Sequence, residues 1–243
     1  MAAKGDAGSA VFQLFKAIES GDTDAVRGLL EEDPGLADAR NPEGASALLL
    51  STYYRRTPIS DLLLSSGARP DIFDAAALGL DDRVAQLARS DRALGRSYSH
   101  DGWTPLHLAA HFGRLDVMKT LLANGADHRA VSRNGNENQS LQAAAAGHQT
   151  AAVELLLKAG AAVGARSHGG FTALHIAASN GIPEMVRLLL KAGADAGAAT
   201  DGGKTALDFA IEANRENVVD LLEAASKARP TRKAGAARRR QKA

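Results

Sequence analysis

The chain has 243 residues, 45% of them hydrophobic but only 4% aromatic, and it has no cysteine. That length allows one or two globular domains, and the missing cysteines exclude disulfides, thiol nucleophiles and Cys-ligated metal sites. The formal net charge of +1 hides an asymmetry: eight bases and no acid follow Glu223, so everything before them carries −7, an acidic body with a basic tail.

Residues 1–10 are rich in Ala and Gly, hold no apolar run and are expected to be flexible. The amphipathic stretch after them contains Lys16 and Glu19 and does not read as a signal peptide. No window approaches the roughly 18 consecutive apolar residues of a membrane helix, so a cytoplasmic protein without membrane contact is expected.

From residue 11 onward the chain repeats itself. Leu14 to Leu30 reads LFKAIESGDTDAVRGLL, Leu48 to Leu64 reads LLLSTYYRRTPISDLLL, and Ile72 to Leu87 reads IFDAAALGLDDRVAQL. Clearer copies follow: DGWTPLHLAAHFGRLDVMKTLLANGAD from Asp101, GGFTALHIAASNGIPEMVRLLLKAGAD from Gly169 and GGKTALDFAIEANRENVVDLLEAA from Gly202. Between the first two of these lies a further copy around Leu141, with two residues inserted before it and with Gly147 one position early. About seven units therefore fill residues 11–226.

Each recurring residue has a physical role. Thr104 caps a first helix through its hydroxyl and Pro105 fits the first helical position, where no N–H is needed. Gly113, Gly21 and Gly181 end that helix in the left-handed region, with Asn214 as the usual substitute. Val117, Leu121 and Leu122 recur at helical spacing in a second helix. The link Gly67–Asp71 before the third unit is unusually short, and the sequence allows a division into two sub-stacks near residues 68–100. Gln13, Lys16 and Glu19 at one end, with Glu212, Arg215, Glu216, Asp220 and Glu223 at the other, read as polar caps of a monomer.

Thr104-Pro105-Leu106-His107 followed by Ala109-Ala110, Gly113 and Gly125-Ala126-Asp127, repeated at a period near 33, resembles the ankyrin repeat. The resemblance implies an all-α repeat protein, an ankyrin-repeat solenoid of about seven helix-turn-helix units joined by β-hairpin fingers. It implies that His107 and His175 bond to the threonine region and lock adjacent units. It also implies a protein–protein interaction module, an adaptor or scaffold gripping a protein partner on its concave face.

No enzyme chemistry stands out. His107 and His111 are four apart on one helix face, but no H-E-x-x-H pattern or third ligand accompanies them, so no metal and no cofactor is expected. Gly202-Gly203-Lys204-Thr205 ends like a phosphate-binding loop, yet Ala198 stands where the motif needs Gly, and a finger tip with a Thr cap explains it. Candidate partner-binding residues are those the repeat does not require. Trp103 either anchors a partner or covers a neighbouring finger. His111 and Phe112 take the variable slots at the end of the same helix, and Tyr53 and Tyr54 take them in the second unit, followed by Arg55 and Arg56. Aromatic residues and Arg are frequent interface anchors. The tail, residues 227–243, lacks apolar periodicity and is expected to be disordered. Its Arg238, Arg239 and Arg240 support the alternative reading, a protein that contacts nucleic acid or an acidic surface.

Overall fold

The computed structural model describes residues 6–228, which form fourteen α-helices and three 3-10 turns and no named strand. The helices run in consecutive pairs: α1 (Asp6–Ser20) with α2 (Thr23–Glu32), α3 (Ala47–Tyr53) with α4 (Thr57–Ser65), and α5 (Ile72–Leu78) with α6 (Asp81–Ser90). Then come α7 (Pro105–His111) with α8 (Leu115–Ala123), α9 (Ser140–Ala146) with α10 (Thr150–Lys158), α11 (Ala173–Asn180) with α12 (Pro183–Lys191), and α13 (Ala206–Glu212) with α14 (Glu216–Ala228). First helices pack on first helices from α1 to α13, and second helices pack on second helices, except that α4 and α6 lack comparable contact. The result is an all-α solenoid in which each unit buries its apolar faces only against its neighbours.

The buried apolar side chains fall into two clusters. One holds Leu14, Ile18, Val26, Leu48, Ile59 and Leu63 of the first two units. The other runs from Leu49 and Ile72 through Leu106, Leu141 and Leu174 to Val218 and Leu222. Helix α3 belongs to both, through Leu48 on one side and Leu49 on the other. Alanines dominate the first helices of the larger cluster, such as Ala75–Ala77, Ala143–Ala145 and Ala177–Ala178, all fully buried. Side chains that small let successive helices approach closely.

One turn joins the helices of each of the seven pairs, and each turn contains one residue in the left-handed region: Gly21, Arg55, Gly79, Gly113, His148, Gly181 and Asn214. The early Gly147 has another cause. Its own φ is ordinary, at −78°, but a Cβ there would lie 2.0 Å from the His111 carbonyl oxygen. The fifth unit therefore needs glycine for close approach and gives the left-handed position to His148. A side chain from the next unit covers several of these turns. Arg56 donates to the Glu19 carbonyl (2.9 Å), Arg114 to that of Ala77 (2.8 Å) and Arg215 to that of Ser179 (3.2 Å). Each cation thus sits at the C-terminal, negative end of the preceding first helix.

Among the described residues the fingers hold no named strand. They are closed by turns rather than by strands, with isolated bridges at Arg40–Ser46 and Ala199–Thr205. Neighbouring fingers stack through single main-chain bonds, Arg133 N–H to Gly102 O, His168 N–H to Asn136 O and Asp201 N–H to Gly169 O. So few ladder bonds per finger leave no length for a strand. Before α5 the link is reduced to residues 66–71. Two boundaries also shift. Residues 6–10, expected to be flexible, begin α1, because Ala10 and Val11 already pack on the first cluster. At the other end α14 continues to Ala228, held by the Lys227–Glu223 pair (3.1 Å), so the expected tail start at 227 is helical. Residues 1–5 and 229–243, including Arg238, Arg239 and Arg240, lie outside the described residues.

Candidate functional site

The repeat's polar residues are occupied in structure. In the fourth unit the His107 Nδ1 accepts from the Thr104 N–H (3.3 Å) and lies 2.7 Å from its hydroxyl, while Nε2 lies 3.0 Å from the Asn138 carbonyl. An acceptor Nδ1 places the ring proton on Nε2, which donates to Asn138. His175 repeats this with Thr172 and Ala198, and in the fifth unit Gln142 reaches Ala165 (2.9 Å). Burial lowers the pKa of both histidines and keeps the rings neutral. With both nitrogens of His107 engaged, the His107–His111 pair has no lone pair free there for a metal. No group of three metal-capable side chains occurs among the described residues. Thr205 caps α13 with Asp208 in reply, and Lys204 pairs with Glu212 (2.7 Å), so this stretch is a finger tip and a cap.

The third unit runs the same device backwards. Asp74 occupies the histidine position, accepts from the Asp71 N–H (3.1 Å), and takes the hydroxyl of Ser46 in the preceding unit. It is 2% exposed, and burial, with the nearby Asp71 charge, pushes its carboxyl up to about 6.

The aromatic candidates do not act alike. Trp103 is buried, at 9% exposure, and belongs to the larger core cluster. Of the two readings of Trp103, partner anchor or cover for its neighbours, this burial fits the second. Ser99 accepts from the Trp103 N–H (3.0 Å) and donates to its carbonyl (2.9 Å), which folds the indole back onto α7 against His107 and His111. His111 and Phe112 are half-buried and continue the row, and the Phe112 ring meets Tyr53 at 5.5 Å. Tyr53 reaches past the third unit and donates to Asp101 (2.5 Å). Burial, first, and that bond raise its pKa. Tyr53 is therefore a strut between the second and fourth units.

Tyr54 and Arg55 remain open. Tyr54 is 40% exposed, and its hydroxyl lies 3.2 Å from Glu19. With Phe12, at 67% exposure, and with Phe15 and Leu50 it lines a groove of about 490 Å³ across α1, α3 and the first finger. Phe12 is not among the residues the repeat pattern singles out. Its signal was an aromatic side chain beside, not in, the Leu14–Ile18 stripe. A second cleft, also about 490 Å³, opens between α4 and the turns preceding α6 and α8, and Arg55, Arg56, Arg114, His111 and Phe112 line it. His111 Nδ1 is buried without a hydrogen-bond partner, and so is Arg56 Nε, which packs against the Gly21 turn. Burial lowers the pKa of His111, and the charges of Arg55 and His148 act in the same direction.

A linear stack of helix pairs held by Thr–His locks and turn-closed fingers defines a helical repeat solenoid. The family model of ankyrin repeats, in three copies, matches residues 72–167 and 140–234. The chain belongs to the ankyrin-repeat family, whose repeats are in general non-enzymatic protein–protein interaction modules. It is 30% identical over 177 residues to an ankyrin repeat protein of Fowlpox virus (strain NVSL), covering 68% of this chain and 39% of that one. It is 41% identical over 122 residues to ankyrin repeat and SAM domain-containing protein 6 of Rattus norvegicus, covering 50% and 11%. With alpha-latrocrustotoxin-Lt1a of Latrodectus tredecimguttatus it shares 37% over 123 residues, 47% and 8%. The chain thus spans well under half the length of these relatives. No helix among the described residues is long and apolar enough to cross a membrane.

Proposed function

We propose that this chain is an adaptor or scaffold that grips a protein partner on the concave face at its N-terminal end. The observation that carries this reading is the groove of Phe12, Phe15, Leu50 and Tyr54, which exposes large apolar side chains on two adjacent first helices. Exposed apolar patches rimmed by polar residues mark interaction sites, and Tyr54 with the neighbouring Arg55 supplies side chains typical of hot spots. His111, Phe112 and Tyr53 shape the adjoining surface rather than contact a partner alone.

The test is a double variant, Phe12→Ser with Tyr54→Ser. Immobilised wild type is expected to retain partner protein from lysate, and the variant to lose it at an unchanged melting temperature. Equal retention by both removes this groove from the reading. The second reading, contact with nucleic acid or an acidic surface, is supported by the eight bases after Glu223. Absence of DNA and RNA binding by the full-length protein at low salt ends it.

A further inference from the structure

We infer that the cleft between α4 and the turns preceding α6 and α8 is an anion subsite that seats one carboxylate or phosphate carried on the partner's peptide segment. This rests on the protein-binding reading above. The cleft is lined by Arg55, Arg56, Arg114 and His111 against a single acid, Asp61. Its volume of about 490 Å³ suits one acidic side chain and its flanking backbone.

Two observations show unfilled bonding capacity. His111 Nδ1 is buried yet has no partner, and native structures rarely leave such a group unmet. Arg55, exposed at the mouth, makes no side-chain hydrogen bond or ion pair among the described residues. It also holds the left-handed turn position, at φ 56°, where most units place Gly or Asn. Strain kept at a non-glycine residue is often associated with function. An anion would satisfy the guanidinium groups with charge-assisted bonds, stronger than neutral ones. A peptide fits better than nucleic acid: the chain before the tail carries −7 and Asp61 lines the cleft, so a polyanion is repelled where a single acid is not.

The full chain is titrated with hexaglutamate, with a Gly/Ser hexapeptide bearing one phosphoserine, and with a ten-residue oligothymidylate. The readouts are the NMR signals of the Arg Nε–H groups and the His111 ring. At least one peptide is expected to shift the Arg55, Arg56, Arg114 and His111 signals saturably, and which peptide binds more tightly distinguishes carboxylate from phosphate. Arg55→Gln, equally strained at that turn, is expected to weaken binding by about fivefold or more at an unchanged melting temperature. Arg129→Gln on an exposed finger is expected to leave binding as it is. The inference is overturned if neither peptide moves these signals, if the two variants behave alike, or if the oligothymidylate binds more tightly at the same signals. Failure here with capture still lost in Phe12→Ser/Tyr54→Ser leaves the protein-binding reading standing. Saturable anion binding with that capture intact removes the groove and keeps the subsite.

Discussion

The first two units and the five that follow are built from the same helix pair but joined differently. In the fourth to sixth units a buried His or Gln reaches forward to a carbonyl of the next finger, and the fingers bond edge to edge. At the junction of the second and third units the finger is missing, α4 and α6 part, and the buried acid Asp74 reaches back to Ser46. The forward neutral bond is independent of pH near neutrality. The backward acidic one is not. What differs between the two regions is therefore the polar link at their boundary, since Leu48 and Leu49 carry apolar packing into both clusters.

The largest effects are expected in the two cores. Leu14→Ala and Leu156→Ala each truncate a fully buried leucine, one in each cluster, and each is expected to cost about 3 kcal/mol. Hydrogen exchange read by mass spectrometry checks whether they stay separate. Leu14→Ala is expected to speed exchange mainly in residues 6–65, and Leu156→Ala mainly beyond residue 100. Uniform acceleration by both would show one cooperative stack.

A smaller effect is expected at the boundary. Asp74 has a folded pKa of about 6, above its ordinary 3.8, so its neutral form is favoured on folding. Its contribution to stability is present below the unfolded pKa and declines as pH rises from about 4 to about 6. Asp74→Asn can still accept from Asp71 and can donate to Ser46. It is expected to add about 2 kcal/mol at pH 7 and little at pH 4, measured by urea titration. A variant no more stable at pH 7 than the parent would show that Asp74 is ionised there without cost.

The smallest effect tests the turns. His148 is exposed and held at φ 62°, and His148→Gly is expected to raise stability by about 1 kcal/mol in the same titration.

Much of this was legible in the sequence. Leu106, Leu141, Leu174 and Leu207 at near-constant spacing, with Thr104-Pro105 and Gly113, give the helix pairs because each is a local requirement of capping, turning and burial. Asn214 was readable as a left-handed residue for the same reason. The side chain of Trp103 was not, since the Ser99 bonds that fold it inward come from a finger whose path no local pattern dictates. Gly147 looked like an irregularity because the atom it avoids, the His111 carbonyl, belongs to another unit. The basic side chains over the turns left a usable trace: Arg56, Arg114 and Arg215 each directly precede a second helix.

Trp103 is the only tryptophan of the chain, and it lies in the larger cluster beside His111. Its fluorescence is thus an internal lamp on the five-unit side of the boundary and dark to the first two units. Circular dichroism counts helices on both sides. In a denaturant titration the two signals coincide only if the whole stack melts as one, so a gap between their midpoints measures the strength of the boundary without any mutation.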